Sequence, residues 1–222
     1  MTRDSQNGTR RFYARVRREC AGRVLDFGAG RGSWFSRPEQ RTVRDLRGLA
    51  EVWACDIDQA VFNHPAADHR VVVDGRALPF ANGAFDMILC DYVFEHLESP
   101  RNVARELVRV LRAGGLICAR TANAWGYPAL AARVVPNRLH RNILRRAQPE
   151  RPQDDVFPTA YRLNRPAVVQ RIFAECELEF YFDSAEPSYY FGHPAVYRVM
   201  SFVHRRLPQN LATGFCCFIR KH

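Results

Sequence analysis

Short apolar runs alternate along the chain with longer segments in which apolar residues recur every three or four positions. The apolar runs, bounded by glycine or charged residues, predict strands at residues 23–27, 51–56, 70–73, 85–90 and 116–120. Helical or loop patterns separate them. Strands that alternate with helices are typical of a parallel sheet covered on both faces. We therefore expect an α/β fold.

The best-defined helix lies between the last two of these strands. Its buried stripe is predicted to be Val103, Leu107, Val110 and Leu111. Ser99 is placed to cap its start, Pro100 suits the first turn, and Gly114 is expected to stop it. An earlier amphipathic helix is predicted around Phe12, Val16 and Cys20, with arginines on its outer face.

Regular periodicity is lost between residues 121 and 165, where prolines and arginines accumulate. This segment predicts an insertion that forms a lid. Helices at 166–176 and 194–206 and strands at 177–183 and 213–220 would complete a seven-stranded sheet. We expect a single domain over 1–222, divided into an N-terminal helix (1–21), a ligand-binding core (22–120), the lid (121–165) and the C-terminal completion of the sheet (166–222).

Composition supports one globular domain, because 222 residues with 47% hydrophobic content can bury a sizeable core. No apolar run reaches the roughly 18 to 20 residues of a membrane helix, and the N-terminal segment lacks the apolar stretch of a signal peptide. The expected location is cytoplasmic, without membrane insertion. Seven scattered cysteines without a C-x-x-C pair predict neither a disulfide framework nor a zinc site.

The net charge of +10 is divided into blocks: residues 1–50 and 101–150 are positive, and 51–100 are negative. Within the predicted lid, residues 130–151 carry six arginines, among them Arg138 and Arg141, and one acidic residue, Glu150. Such a cluster attracts phosphate or carboxylate groups. The alternative is an ordinary solvated helix face.

The first predicted strand leads directly into a glycine-rich turn. Gly28, Gly30 and Gly32 permit positive φ and a close approach of the backbone to a ligand, and the following helix offers free N–H groups. The pattern is D-x-G-x-G-x-G, led by Asp26, and Ser33 stands where G-x-G-x-x-G requires glycine. A nucleotide-like ligand is expected here, and a pyrophosphate cofactor is disfavoured.

The segment VLDFGAGRG resembles the first motif of the class I S-adenosylmethionine-dependent methyltransferases. Three later segments resemble the same family in the same order: ACDID, VVVDGRALPF and FDMILCDYVFEHLESP. The resemblance implies a Rossmann-like fold with a mostly parallel seven-stranded sheet and a lid after the fifth strand. It also implies S-adenosylmethionine as the cofactor.

The same resemblance implies a role for three carboxylates near the ends of three successive strands. Asp26 would face the methionine amine, Asp56 the two ribose hydroxyls, and Asp74 the adenine amino group. A carboxylate suits the ribose because it has two acceptor oxygens.

Other parts of the cofactor would contact apolar or backbone groups. Ile57 would pack on the adenine face, the backbone of Gly75 and Arg76 would border the ring, and Cys90 would contribute its carbonyl at the methionine end. The glycine loop would supply Gly28, Ala29, Gly30 and Gly32.

Methyl transfer from a sulfonium is an in-line displacement, so alignment and exclusion of water can supply up to roughly 7 to 11 kcal/mol of the catalysis. A hydroxyl acceptor also requires a base. His96, six residues past Cys90, is the first candidate and His140 the second. The alternative for His96 is a structural role. Tyr161 is predicted to form an aromatic wall for the acceptor.

No metal is predicted. An E-x-x-E-H arrangement in similar enzymes would place an acidic residue where this chain has Tyr92. The remaining histidines, His64 among them, show no ligand spacing and are predicted to be surface or packing residues.

The leading functional hypothesis is methylation of an oxygen on a small molecule, a sugar or specialised metabolite that is either anionic or neutral. N-methylation of a small amine is one alternative. RNA methylation is another, because the basic N-terminal helix and the arginine-rich lid could contact phosphates. A non-enzymatic cofactor-binding module is disfavoured because the cofactor motifs are intact. The oligomeric state does not follow from the sequence.

Overall fold

The computed structural model describes residues 3–126, 129–130, 159–183, 193–204 and 206–222. The helices are α1 (Arg3–Glu19), α2 (Pro38–Arg44), α3 (Pro100–Val110), α4 (Pro166–Ile172) and α5 (Pro194–His204). The strands are β1 (Arg23–Phe27), β2 (Glu51–Asp56), β3 (His69–Val72), β4 (Phe85–Asp91), β5 (Leu111–Ala122), β6 (Cys176–Asp183) and β7 (Gly214–Lys221). Most of the predicted lid, including Arg138, His140 and Arg141, lies outside the described residues.

The seven strands form one sheet in the order β3-β2-β1-β4-β5-β7-β6. Strands β1 to β5 are parallel to one another, and β7 runs antiparallel to both β5 and β6. The predicted α/β fold with a mostly parallel seven-stranded sheet is thus confirmed. The chain leaves β1 toward β2 on one side, while β4 lies on the other side. Such a reversal opens a crevice at the carboxyl ends of the two strands.

Each face of the sheet is covered by a separate hydrophobic cluster. On one face, Phe12 and Val16 of α1 belong to the same cluster as Met87 of β4. On the other, Leu107 of α3 and Val169 of α4 belong to the cluster of the remaining strand residues. The central strands are therefore buried on both sides, which explains why they read as continuous apolar runs.

The end of α3 differs from the sequence prediction. The helix stops at Val110, and Leu111 begins β5 because it pairs with Phe85 of β4. Gly114, with φ 74°, lies inside β5 and does not terminate the helix. Ser99 occupies the N-cap position, but its side chain makes no capping hydrogen bond. Strand pairing has overridden the helical spacing that Leu111 shares with Leu107.

The segment after the glycine loop is not one continuous helix: a 3-10 turn (Ser33–Ser36) precedes α2, which begins at Pro38. All seven cysteines are free, and five of them are buried. Of the helices described, none has the length and apolar character needed to cross a bilayer.

Candidate functional site

The residues predicted to hold the cofactor meet at one edge of the sheet. Asp26 lies near the end of β1, Asp56 ends β2, Asp74 follows β3, and Cys90 lies near the end of β4. These strands are parallel, so their carboxyl ends share an edge. The structure thus brings together groups that are far apart in the sequence.

Backbone hydrogen bonds attach the glycine loop to β2. The amides of Gly28 and Ala29 donate to the Cys55 carbonyl at 2.8 and 3.1 Å. The Gly30 amide donates to Oδ2 of Asp56 at 2.8 Å, and the Asp58 amide to Oδ1 at 2.9 Å. Each oxygen of Asp56 keeps a further lone pair. The carboxylate is therefore oriented and can still accept hydroxyl groups.

Two glycines of the loop face different surroundings. Gly30 has φ 56°, and a Cβ built on it would meet no atom within 4 Å. Gly32 has φ 64°, and a Cβ there would lie 2.7 Å from Cδ2 of His64. The loop is therefore open at Gly30 and closed by an imidazole at Gly32.

An apolar shelf borders the loop after β3. The side chain of Ile57 is 63% exposed, and a Cβ on Gly75 would come within 3.3 Å of it. Oδ1 of Asp74 accepts the amides of Arg76 at 2.8 Å and Ala77 at 3.2 Å. These bonds lower the pKa of Asp74 and keep its carboxylate ionised.

Asp26 is the unusual carboxylate of the site. Its side chain is 14% exposed, and His64 Nε2 lies 3.9 Å from its Oδ2. Burial, followed by the charge of Asp91, raises the pKa of Asp26 to about 7, although Arg44 opposes this. A buried carboxylate with so little compensation favours the binding of a cationic group beside it.

The adjacent Asp91 is fully paired. Tyr13 donates its hydroxyl to Oδ2 at 2.8 Å, Arg120 Nη2 donates to the same oxygen at 3.0 Å, and Arg44 Nη2 and Arg120 Nε also donate to the carboxylate. Burial raises the pKa of Asp91, but Arg120 and Arg44 outweigh it and hold the pKa at about 2. Asp91 therefore remains ionised and structural.

This buried network joins four elements and was missed from the sequence. Arg120 Nη1 also donates to Thr9 Oγ1 of α1 at 2.8 Å, so the cluster links α1, α2, β4 and β5. One signal was available. Asp91 and Arg120 are opposite in the β4–β5 register, so two charged residues at the ends of neighbouring strands predict a pair.

Another buried carboxylate, that of Glu95, braces the turn after β4. Thr121 Oγ1 donates to Glu95 Oε2 at 2.8 Å, and Asn164 Nδ2 donates to Thr121 Oγ1 at 2.7 Å. The Glu95 carbonyl accepts the amides of Ala160 and Tyr161 at 2.7 and 3.1 Å. Glu95 thus connects the turn after β4 to the segment that carries Tyr161.

His96 lies in that turn, half-buried, with its amide donating to Val93. Tyr161 and Tyr92 have φ of 51° and 59°, the two positive values among the described non-glycine residues. Such conformations concentrate at functional sites. Tyr92 is 43% exposed, and the Cζ atom of Arg120 lies 4.9 Å from the centroid of its ring. The turn that carries Tyr92 and His96 also lies against the glycine loop, because a Cβ on Gly28 would come within 2.6 Å of Val93.

The described residues contain no group of three or more metal-binding side chains.

The arginines of α1 are partly engaged by the protein itself. Arg15 makes a bidentate pair with Glu179 at 2.7 and 2.9 Å, Arg17 donates to the Asp45 carbonyl, and Arg11 stacks on an aromatic ring.

Comparison with known proteins agrees with this geometry. Residues 25–119 match a family described as a methyltransferase domain. A solved S-adenosylmethionine-dependent methyltransferase from Archaeoglobus fulgidus has the same fold, with a TM-score of 0.57 and 16% identity over 96% of this chain and 94% of that one. Residues 25–119 are thus a methyltransferase domain with the fold of the S-adenosylmethionine-dependent methyltransferases, and the cofactor of this domain is S-adenosylmethionine.

Curated relatives name different acceptors. A malonyl-[acyl-carrier protein] O-methyltransferase of Enterobacter lignolyticus (strain SCF1) is 32% identical over 139 residues, 59% of this chain and 52% of that protein. A demethylmenaquinone methyltransferase of Corynebacterium efficiens is 33% identical over 110 residues, 48% of this chain and 44% of that protein. The chain spans about half the length of the curated relatives it matches.

Proposed function

We propose that the protein transfers the methyl group of S-adenosylmethionine to an oxygen of a small, anionic acceptor such as a sugar or specialised metabolite. The observation that carries the cofactor part of the proposal is Asp26, a buried carboxylate with little charge compensation next to the glycine loop, which is open at Gly30. When bound beside Asp26, the cofactor would bring the missing positive charge with its amino group, and its sulfonium would supply the activated methyl group.

The residues at the sheet edge fit this cofactor. Asp26 would pair with its amino group, Asp56 would accept its ribose hydroxyls, and Asp74 would accept from the adenine amine. Ile57 offers the exposed apolar surface that an adenine face requires. The backbone of Gly75 and Arg76 and the Cys90 carbonyl complete the proposed contacts.

On the acceptor side, His96 would take the proton of a hydroxyl acceptor. Its position in the turn braced by Glu95 fixes the backbone from which the imidazole extends. Tyr161 would bound the acceptor. Arg138, Arg141 and His140 remain proposed contacts in the lid, with the arginines binding acceptor charge and His140 acting as a second candidate base.

The first test concerns the open face of the loop. Gly30→Ala should weaken binding of S-adenosylhomocysteine at least about tenfold in calorimetry, because its methyl group projects into the space left for the cofactor. Gly114→Ala is the matched control, since Gly114 also has positive φ and no atom near a built Cβ. Both should lose about 1 to 2 kcal/mol of stability from the left-handed conformation. Equal binding by the two variants would contradict this placement of the cofactor.

The second test concerns the base. With a hydroxyl acceptor, His96→Ala should lower kcat about 100-fold and leave S-adenosylhomocysteine affinity unchanged, because general-base catalysis contributes at least that factor.

A screen of cofactor consumption over sugars, phenols, amines, carboxylic acids and RNA identifies the acceptor. It is repeated with His96→Ala and His140→Ala. Full activity of both variants on a hydroxyl acceptor would remove both proposed bases.

Methylation of a carboxylate is the second candidate, favoured by the malonyl-[acyl-carrier protein] O-methyltransferase among the relatives. An ionised carboxylate has no proton to remove, so His96→Ala should then retain its rate. RNA methylation is less favoured because Arg11, Arg15 and Arg17 on α1 already contact the protein body. A steep loss of acceptor affinity with salt would favour RNA instead.

A further inference from the structure

His64 lies behind the glycine loop and is 1% exposed. It follows the 3-10 turn Gln59–Asn63 after β2. Its ring occupies the space into which a Cβ on Gly32 would project, and it packs against Trp34 with ring centroids 5.8 Å apart. From the sequence alone it was predicted to be a surface or packing residue. Its surroundings indicate a more specific role.

The hydrogen bonding of the ring determines its tautomer. The Ala66 amide donates to Nδ1 at 3.3 Å, so Nδ1 carries the lone pair and Nε2 carries the proton of the neutral ring. Burial, with the charges of Arg70, Arg44 and Arg47, lowers the pKa of His64 to about 4. Near neutral pH the imidazole is therefore an uncharged donor through Nε2–H.

That donor is buried without a hydrogen-bond acceptor among the described residues. It lies 3.9 Å from Asp26 Oδ2, beyond hydrogen-bond distance. A buried N–H without an acceptor is destabilising, and so is a poorly compensated buried carboxylate. The imidazole offers a donor and the carboxylate an acceptor. If the two side chains approached each other by about 1 Å, Nε2–H of His64 would donate a hydrogen bond to Oδ2 of Asp26.

We propose that His64 is a positioning residue for Asp26: its Nε2–H closes on Oδ2 and holds the ionised carboxylate toward the amino group of the cofactor. The inference rests on the proposed role of Asp26 in cofactor binding. His64 also limits the loop, because its ring occupies the space beside Gly32. The imidazole of His64 would thus fix the orientation of the Asp26 carboxylate and the position of the glycine-loop backbone, both of which face the cofactor.

Several other charged or titratable groups face this pair. Asp26 is influenced by Asp91 of β4, Arg44 of α2 and Asp56 of β2. The charge of Asp26 contributes to the raised pKa of Tyr13 of α1, which comes mainly from burial. The groups that influence His64 are Arg70, Arg44, Arg47 and Asp45. None of these needs to titrate in the proposed step.

Three substitutions separate the donor from the packing of the ring. His64→Gln places an N–H₂ group near the position of Nε2. His64→Asn keeps an acceptor near Nδ1 for Ala66 and removes the distal donor. His64→Phe keeps a ring of similar size and removes both nitrogens.

The measurement is the dissociation constant of S-adenosylhomocysteine by calorimetry from pH 5.5 to 8.5, with thermal unfolding of each variant. In the wild type, affinity should fall about tenfold per pH unit below a midpoint near 7, because the complex requires ionised Asp26. His64→Phe and His64→Asn should weaken binding about tenfold at pH 7 and move the midpoint upward, since a hydrogen bond to a charged group is lost. His64→Gln should bind within about twofold of the wild type with the wild-type midpoint.

The outcomes are distinguishable. Wild-type affinity and midpoint in His64→Phe would overturn the role of His64 alone, whereas a wild type that fails to bind S-adenosylhomocysteine would overturn the cofactor site itself. Equal losses in all three variants, His64→Gln included, would reduce His64 to packing and also overturn the proposal.

A measurement on the wild type covers the case in which a variant does not fold. Nitrogen NMR of the histidine side chains should show His64 protonated at Nε2 between pH 5.5 and 8. Its Nε2–H proton should shift downfield on addition of S-adenosylhomocysteine. An Nδ1-protonated ring, or an Nε2–H resonance unchanged by the ligand, would overturn the proposal.

Discussion

Asp26→Asn is expected to weaken S-adenosylhomocysteine binding by about 3 to 4 kcal/mol at pH 8, a factor of several hundred, because one partner of a buried charge pair is lost. The wild-type carboxylate has its pKa raised to about 7, chiefly by burial. It is therefore mostly ionised at pH 8 and mostly neutral at pH 6. The amide cannot ionise, so the variant should also lose the pH dependence of binding between these values.

Calorimetry at pH 6, 7 and 8 tests this expectation. The matched control is Asp86→Asn at the opposite end of the sheet, where the carboxylate accepts the Arg23 amide at 2.7 Å and pairs with Arg112. That variant should bind S-adenosylhomocysteine as the wild type does. Unchanged affinity and an unchanged pH profile in Asp26→Asn would remove the residue from the cofactor site.

The second large effect concerns folding stability. Asp91→Ala should lower the free energy of unfolding by about 3 to 5 kcal/mol, because it leaves the buried guanidinium groups of Arg44 and Arg120 without their counter-ion. Chemical denaturation at pH 7 measures the change. Glu179→Ala breaks a bidentate arginine pair at the surface and should lose no more than about 1 kcal/mol. Similar losses in the two variants would contradict the structural role of Asp91.

The acid side of the same network gives a further check on Asp91. Its folded-state pKa of about 2 lies below the ordinary value of 3.8. The stabilisation from its ionised form is therefore complete above pH 3.8 and is lost as the pH falls toward 2. Asp91→Asn should lack this part of the acid unfolding profile.

Strands with clear sequence boundaries were predicted to the residue. β1 lies between Gly22 and the glycine loop, and the apolar run of β2 ends at the charged residue Asp56. Glycine or charged residues at the ends of the apolar runs therefore defined both strands. β5 was predicted five residues too short at its start because Leu111 fits a helical stripe and a strand equally well. The choice depends on Phe85 across the sheet, a contact that local periodicity does not contain.

The residues of the site likewise fall into those with a sequence signal and those that depend on tertiary packing. The family resemblance assigned Asp26, Asp56 and Asp74 to one ligand, and the structure places all three near the carboxyl ends of parallel strands at one edge of the sheet. His64 carried no local signal, because its approach to Asp26 depends on the turn after β2 folding back behind the loop. The Asp91 cluster depends similarly on where α1 and α2 pack against β4.

The position of β7 has a consequence for synthesis of the protein on the ribosome. In the sheet, β5 lies between β4 and β7. The residues of β4 are translated before those of β5, whereas the residues of β7 are translated much later. Until then the nascent chain carries β5 with unpaired backbone N–H and C=O groups along one side. Unpaired strand edges promote mispairing between chains. Arrival of Gly214–Lys221 closes this edge, and the sheet reaches its final width only at that late step.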